Sequence, residues 1–223
     1  MSTPRFLLHH GLRSRSARIL WLLEEAGLPF ELHVHDLQKG THKAPALTDH
    51  NPHGKVPTLI DRGPDGTWST VVTESAAICL HVADQALAAG TARLAPPLHA
   101  KERGAYLTWM LYTPAVLEPA FTDAAFPRVA APPASSLGWA PLDEALARVE
   151  SALKTGPFLL GEMFSAADIM VGGMLSWLTA WQKLPADHAV FAPYIAALNA
   201  RPAGQRARAR DAELLAAREA AAT

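Results

Sequence analysis

The chain has 223 residues, of which 49% are hydrophobic and 18% charged, so a sizeable buried core is expected and wholesale disorder is excluded. Its 20 basic and 21 acidic side chains give a formal net charge of −1, whereas nucleic-acid-binding proteins normally carry a basic excess. The single cysteine, Cys79, cannot form an internal disulfide, which is typical of a reducing compartment. The chain shows neither a secretion signal nor an apolar run long enough to span a membrane, so we expect a cytoplasmic protein.

The first half of the chain alternates strand-like and helix-like segments. Short apolar or alternating runs predict strands, a broad apolar face predicts the first helix, and Gly27 followed by Pro29 ends that helix. A turn of Asp, Gly and Pro between the last two strands predicts a hairpin. This order predicts a small mixed sheet with one crossover connection and helices packed on it. The expected elements are strands at 6–8, 30–34, 56–60 and 68–72, with helices at 14–26 and from Thr73 or Glu74 through Val82.

The second half contains only helix-length segments separated by proline and glycine, with no convincing strand after Pro97. The sequence therefore predicts an α/β first domain at 1–88, a linker at 89–96 and an all-α second domain at 97–223. The helices are expected at 101–121, 141–154, 165–184, 192–199 and 205–218.

Val56 and Pro57 open the third predicted strand. A proline is acceptable at the first residues of a strand, where its missing N–H costs no ladder hydrogen bond. If the bond between them is cis, the backbone of Val56 is turned outward and can pair with an extended peptide ligand. An ordinary trans proline at a strand edge is the alternative.

Two further segments place polar side chains at helix starts. Near Glu74 and Ser75, unpaired N–H groups of a first helical turn favour an anion, and the Glu74 carboxylate can pair with an ammonium group. An α-amino acid needs that combination, although simple helix capping explains the same residues. Ser14 and Ser16 lie at the start of the first helix, among arginines, where a hydroxyl can donate to a thiolate, or equally can cap the helix.

Together, in this order, these segments resemble the glutathione transferases over residues 6–211. In the second half, Phe164 to Ile169 resembles a family capping box, in which Ser165 caps a helix and Asp168 closes its first turn. The other matching segments are 14–30, 39–43, 51–59, 73–78, 158–161 and 194–202.

The resemblance implies a thioredoxin-like first domain that binds glutathione and a helical bundle that shapes the second-substrate pocket. It implies that Val56 and a cis Pro57 hold the cysteinyl backbone of glutathione. It also implies that Glu74 and Ser75 hold the γ-glutamyl end. The remaining implied contacts, to the glycine carboxylate, come from His42 and Lys55.

The resemblance also narrows the choice of the residue that activates the glutathione thiol. Tyrosine-type members carry a tyrosine at the end of the first strand, where residues 7–10 have none, and Cys79 is far from the first helix. A serine type remains, similar to a bacterial and fungal, theta-like branch. Ser14 is the first candidate for the activating residue and Ser16 is the second. Several classes of the family place this serine one residue or more earlier in the chain. His10 is a further candidate participant. Candidates for the second-substrate pocket are His10, Tyr106, Trp109 and Met110, the last three being equally well explained as bundle core.

The implied activity is conjugation, in which the glutathione thiolate attacks a hydrophobic electrophile without a metal. A glutathione-dependent isomerase or peroxidase and a non-catalytic binding or regulatory protein are the alternatives. By the same resemblance we expect a homodimer.

Overall fold

The computed structural model describes residues 3–130 and 132–220, which form two compact units. The first unit runs to Leu94 and also includes the residues from Arg201 onward, and the second unit is Ala95–Ala200. The first contains strands β1 (Phe6–Gly11), β2 (Phe30–His35), β3 (Thr58–Asp61) and β4 (Thr70–Thr73), with helices α1 (Ser16–Ala26), α2 (Pro45–Thr48), α3 (Ser75–Ala89) and α9 (Pro202–Ala220). The second contains α4 (Arg103–Tyr112), α5 (Glu118–Ala125), α6 (Leu142–Leu153), α7 (Ala166–Ala180) and α8 (Phe191–Asn199).

The four strands form one mixed sheet in the order β2-β1-β3-β4. Strands β1 and β2 are parallel and are connected through α1, whereas β3 is antiparallel to both β1 and β4. The predicted crossover and hairpin are therefore confirmed. Strand β3 begins at Thr58 rather than at Val56, because Pro57 has no N–H to donate to a ladder.

Helix α1 packs into the core of the first unit through an almost continuous set of fully buried side chains. Its other side carries Glu25, whose carboxylate accepts two hydrogen bonds of 2.6 and 2.7 Å from Arg201. In α9, Gly204 lies so close to Trp21 that an added Cβ would be 3.1 Å from the indole nitrogen. These contacts attach the C-terminal helix to α1.

The boundary of the second domain consequently differs from the prediction of 97–223. Residues from Arg201 onward belong to the first unit, because α9 turns its contacts toward α1. A helix with small residues such as Ala203 and Ala207 can approach a neighbour closely, and both are buried here. Helical periodicity predicts that such a helix exists but not which neighbour it contacts.

The helical unit is stabilised by the predicted capping box at the start of α7. Asp168 Oδ2 accepts hydrogen bonds from the backbone N–H and the hydroxyl of Ser165, at 2.9 and 3.1 Å. Asp168 Oδ1 accepts two more, from the N–H of Leu159 and the hydroxyl of Tyr194, both at 2.9 Å. The carboxylate is fully buried and joins α7, α8 and the preceding loop. Among the described residues, none of the helices is both long and apolar enough to cross a membrane.

Candidate functional site

The ends of all four strands meet at one edge of the sheet. Because β1 and β2 are parallel, with Gly11 opposite His35, the segments that follow both strands leave at the same edge. In the antiparallel pairs, Thr58 lies opposite His9 and Thr73. The segment entering β3 and the segment leaving β4 therefore lie beside the end of β1. The sequence-predicted residues at this edge are Ser14, Ser16, His42, Lys55, Val56, Pro57, Glu74 and Ser75.

Asn51 organises the segment that enters β3. Its side-chain amide donates to the carbonyl of Lys55 at 3.1 Å and to the hydroxyl of Thr58 at 3.0 Å, and its carbonyl oxygen accepts from the N–H of His53. The hydroxyl of Thr58 also donates to the Lys55 carbonyl, at 2.9 Å. These bonds fix the chain on both sides of Val56.

The bond between Val56 and Pro57 is cis, as the resemblance implied. Within residues 3–130 and 132–220, the N–H and C=O of Val56 have no hydrogen-bond partner. Val56 is only half-buried. Its N–H can therefore donate a hydrogen bond to an extended ligand lying alongside, and its C=O can accept one from that ligand.

Gly54 brings the segment after β2 against this loop. A Cβ at this position would lie 2.7 Å from the carbonyl oxygen of His42, and Gly54 has a φ of +54°, so both the close approach and the conformation favour glycine. Lys43 closes the same contact by donating to the carbonyl of His53 at 2.7 Å. These contacts place the His42 segment beside the loop that carries the exposed Lys55.

The start of α3 presents uncapped N–H groups. Glu74, at the N-cap position, has a φ of +67° and a ψ of +125°, and its side chain makes no capping hydrogen bond. Non-glycine residues seldom adopt a positive φ, and such conformations are concentrated at functional sites. Because no side chain caps the helix, the alternative of simple capping by Thr73 or Ser75 does not describe this structure. The exposed Glu74 carboxylate and the free N–H groups together suit a ligand that carries both charges.

Ser14 and Ser16 lie in the turn between β1 and α1. The two hydroxyls are 2.8 Å apart, and each is within hydrogen-bond distance of the carbonyl of Gly11, at 2.7 Å for Ser14 and 2.9 Å for Ser16. Ser14 is partly exposed, whereas Ser16 is fully buried. Of the two candidates, only Ser14 can reach a ligand, and α1 itself begins at Ser16.

The structure does not place the candidates for the second-substrate pocket on an accessible wall. His10, Tyr106 and Met110 are 0% exposed and Trp109 is 8% exposed, so they are core residues, and the bundle-core alternative holds for the three on α4. His10 instead uses both ring nitrogens internally, Nδ1 toward Ser16 at 2.9 Å and Nε2 toward Asp211 at 2.7 Å.

The lone cysteine takes no part in the site. Cys79 is fully buried in α3, and burial raises the pKa of its thiol to about 12. A thiol in that state is neither a nucleophile nor a redox group at neutral pH.

Sequence reasoning assigned no role to two residues that organise this edge. Asn51 stands within a matching segment, just before Pro52, but its hydrogen bonds depend on the fold of the loop. Asp211 is 201 positions from His10 and shows no motif, so its role appears only once α9 is placed.

Comparisons with known proteins agree with this architecture. Residues 14–85 match the family described as glutathione S-transferase, N-terminal domain, and residues 123–211 match glutathione S-transferase, C-terminal domain. The disulfide-bond oxidoreductase YfcG of Escherichia coli is 30% identical over 179 residues, which cover 78% of this chain and 79% of that protein. Glutathione S-transferase 3 of Schizosaccharomyces pombe is 42% identical over 76 residues, which span 34% of this chain and only 28% of that protein.

Among solved structures, a glutathione transferase from Burkholderia graminis superimposes with a TM-score of 0.70 and 27% identity. The superposition covers 92% of this chain and 87% of that one, which holds two glutathione molecules per subunit. The fold and the site define the class of protein: a thioredoxin-like unit is followed by a helical unit, and polar groups lie where the strands of the sheet end. The chain belongs to the glutathione S-transferase superfamily.

Proposed function

We propose that the protein is a glutathione transferase that binds glutathione along Val56 and the start of α3. The observation that carries this proposal is the free backbone of Val56 beside an uncapped helix start, at the edge where β1 also ends. A glutathione molecule offers a matching set of groups: a peptide backbone in the middle, an α-amino acid at one end and a carboxylate at the other.

Each end of the tripeptide has a suitable partner at this edge. The γ-glutamyl carboxylate would accept from the first N–H groups of α3 and the Ser75 hydroxyl, and its ammonium would pair with Glu74. The cysteinyl N–H and C=O would pair with Val56. The glycine carboxylate would lie near His42 and near Lys55, which supplies a positive charge on the other side.

The proposed role of Ser14 is to donate a hydrogen bond to the sulfur of glutathione. A hydrogen bond to the thiolate favours the charged form, so the thiol ionises at lower pH, and the thiolate is the nucleophile. Ser14 lies just before α1, whose N-terminal dipole acts in the same direction. Ser14 is partly exposed and can contact a ligand, whereas Ser16 and His10 are buried.

The proposed reaction is conjugation to a small hydrophobic electrophile. The sulfur lone pair forms a bond to an electrophilic carbon, and the leaving group, such as a halide, departs with the bonding electrons. In an addition reaction no group leaves, and a proton from water completes the product. Neither path requires a metal or redox cofactor.

Glutathione-dependent disulfide reduction is a second candidate, favoured by the similarity to YfcG, a disulfide-bond oxidoreductase. Here the bound thiolate attacks a substrate disulfide and a second glutathione resolves the mixed disulfide, which yields oxidised glutathione and two substrate thiols. Because Cys79 is buried and is the only cysteine, both thiols must come from glutathione.

The proposal also includes a cytoplasmic location and a homodimer. Light scattering of the purified protein tests whether it is a dimer.

Calorimetry with glutathione and turnover with 1-chloro-2,4-dinitrobenzene test the proposal together. We expect saturable glutathione binding and formation of the conjugate. Binding without conjugation, but with reduction of a disulfide such as hydroxyethyl disulfide, would select the second candidate. No heat and no saturation with glutathione would reject both.

A further inference from the structure

Histidine side chains line one face of the sheet in the first unit. In the strand register, His9 lies opposite His33 on β2 and opposite Thr58 on β3, so these three side chains share a face. His35 shares it as well, because it follows His33 by two residues on the same strand. This face therefore presents imidazole rings to the part of the chain that packs on it.

The 36–57 segment, which connects β2 to β3, covers these rings. The ring centre of His50 lies 5.6 Å from that of His9, and His35 has a hydrogen bond with the backbone of Thr41. Under this cover His9 and His35 are only 1% and 2% exposed. The segment also carries three residues of the proposed glutathione site: His42, Lys55 and Val56.

The backbone hydrogen bonds of the 36–57 segment are made within the segment, in the part of the chain that the structure describes. Asn51, for example, donates its N–H to the carbonyl of Leu47 at 2.8 Å. The attachments to the sheet are side chains: Leu47 is fully buried, and the amide of Asn51 donates to the hydroxyl of Thr58 at 3.0 Å. A region bonded mainly to itself opens at a lower free-energy cost than the whole fold. Opening of this segment is therefore the most accessible route for water to the two buried rings.

The hydrogen bond between His9 and His35 determines where an added proton must go. Nδ1 of His9 lies 2.9 Å from Nε2 of His35, and one hydrogen lies between them. In the neutral pair the second hydrogen occupies one of the two outer nitrogens and the other is bare. An added proton fills the bare nitrogen, so Nε2 of His9 then carries a hydrogen in either case. Among the described residues this buried atom has no hydrogen-bond partner, so the closed segment disfavours the protonated pair.

The other histidines around the pair act in the same direction. Burial, followed by repulsion from His35, His33 and His50, lowers the pKa of His9 to about 4. Burial also lowers the pKa of His35, with further repulsion from His33 and His42, whereas its backbone hydrogen bond acts in the opposite direction. The two rings consequently stay neutral while the segment is closed.

The remaining charged groups near the pair do not offset this effect. The Asp36 carboxylate accepts hydrogen bonds from two N–H groups of its own loop, and Lys43 donates to a backbone carbonyl. On β3 the residue opposite His9 is the neutral Thr58. Within residues 3–130 and 132–220, neither His9 nor His35 has a hydrogen bond or ion pair with a carboxylate. The other charged side chains of the segment are exposed: Lys39, Asp49 and Lys55.

We propose that His9 and His35 form an acid-sensitive switch that releases the 36–57 segment from the sheet when the pair takes up protons. In the open form the imidazoles titrate near their ordinary pKa of about 6.5. The opening equilibrium is therefore unaffected above that pH, and below it rises by about tenfold per pH unit for each proton taken up. Global unfolding takes up the same protons but costs more free energy, so the segment opens first.

The consequence for glutathione rests on the proposed function, in which the ligand lies along Val56. Acid then weakens glutathione binding, because the open segment no longer presents the Val56 backbone. By reciprocity, bound glutathione holds the segment closed and opposes proton uptake. Above about pH 5 the Glu74 carboxylate and the carboxylates of glutathione stay mainly ionised, so their own titration does not produce this effect.

Hydrogen exchange of the ligand-free wild type, followed by mass spectrometry, tests the switch directly. Protection factors, which correct for the intrinsic pH dependence of exchange, should fall in the 36–57 segment by about tenfold or more per pH unit between about pH 6.5 and 5. Strands β1 and β3 should keep their protection in that range, and saturating glutathione should restore protection of the segment. Equal losses in the strands and the segment, or a segment unaffected by pH, would overturn the inference.

The double variant His9→Leu with His35→Gln removes both titrating rings and should reduce the dependence to less than about twofold per pH unit. The matched control is His53→Gln, an exposed histidine of the same segment, which should keep the wild-type dependence. A wild-type dependence in the double variant would also reject the switch. Acid opening that glutathione does not reverse would instead reject the proposed glutathione site and leave the switch in place.

Discussion

The Nδ1 atom of His9 lies 2.9 Å from Nε2 of His35, and both rings are buried in the first unit. The rings of His9, His33 and His35 stack on one another with centroids 4.7 to 5.2 Å apart, and His50 lies 5.6 Å from His9. Within the described part of the chain, no group of three such side chains is arranged to hold a metal ion. Burial, followed by repulsion from the neighbouring histidines, lowers the pKa of His9 to about 4, and burial also lowers the pKa of His35.

This cluster predicts acid sensitivity of the fold. In the unfolded chain His9 takes up its proton near pH 6.5, but in the folded chain only near 4, so acid favours the unfolded chain between these values. The neutral His9 therefore lowers the free energy of unfolding nowhere above pH 6.5. As the pH falls from 6.5 toward 4, the free energy of unfolding decreases by on the order of 3 kcal/mol. Urea unfolding of the wild type and His9→Leu across this range checks it, with His99→Asn, at an exposed position, as the control. Equal slopes of stability against pH in His9→Leu and the wild type would contradict the prediction.

Ser14→Ala should lower kcat for conjugation by about 10- to 100-fold, because a hydrogen bond to a charged sulfur contributes about 1.5–3 kcal/mol. Glutathione binding should change little, since the backbone and terminal contacts remain. Steady-state kinetics together with calorimetry separate the two effects. The exposed Ser135→Ala serves as a control for the substitution itself, and a wild-type kcat in Ser14→Ala would exclude the serine.

Glu74→Gln should raise the dissociation constant of glutathione by about tenfold, since the amide loses the charge that pairs with the ligand ammonium. The fold should tolerate the change, because the Glu74 side chain is exposed and makes no capping bond. Calorimetry measures the constant, and the exposed Glu162→Gln provides a comparison at the same net charge. An unaltered dissociation constant in Glu74→Gln would show that the γ-glutamyl end does not bind at Glu74.

Asn51→Ala should reduce both stability and glutathione affinity. The change removes donors to the Lys55 carbonyl and the Thr58 hydroxyl at a site that is 8% exposed, which costs about 1–3 kcal/mol. The loop that presents Val56 then loses part of its support, so the dissociation constant should rise. Thermal unfolding and calorimetry measure the two effects. Asp49→Ala, at an exposed neighbouring position, should affect neither, and weakened binding in that variant too would point to general loosening of the loop.

Asp168→Ala should destabilise the protein by about 3–5 kcal/mol, because four donors lose a buried acceptor at once. Burial raises the pKa of Asp168, whereas hydrogen bonds from Leu159, Ser165 and Tyr194 act against that rise. Tyr194→Phe removes one of the four bonds and should cost about 1 kcal/mol. Urea unfolding measures both, with the exposed Asp187→Ala as the control. A loss in Asp168→Ala no larger than in Tyr194→Phe would show that the other three bonds contribute little.

Several segments at this edge of the sheet could be predicted from sequence because their signals are local. The proline just before β3 and the polar pair at the start of α3 each reflect the chemistry of neighbouring residues. Hairpin and crossover connections then bring those segments to one edge, since strand order and direction follow from short connections.

The sequence by itself determined the alternation of strands and helices, the family resemblance and the residues at the strand ends, because periodicity and turn chemistry act over a few residues. Only the tertiary structure decided that α9 belongs with the first unit, that Tyr106 and Met110 are core, and that Asp211 meets His10. Those outcomes depend on which faces pack together and exclude water, and a contact between residues 201 positions apart leaves no periodic trace in the chain.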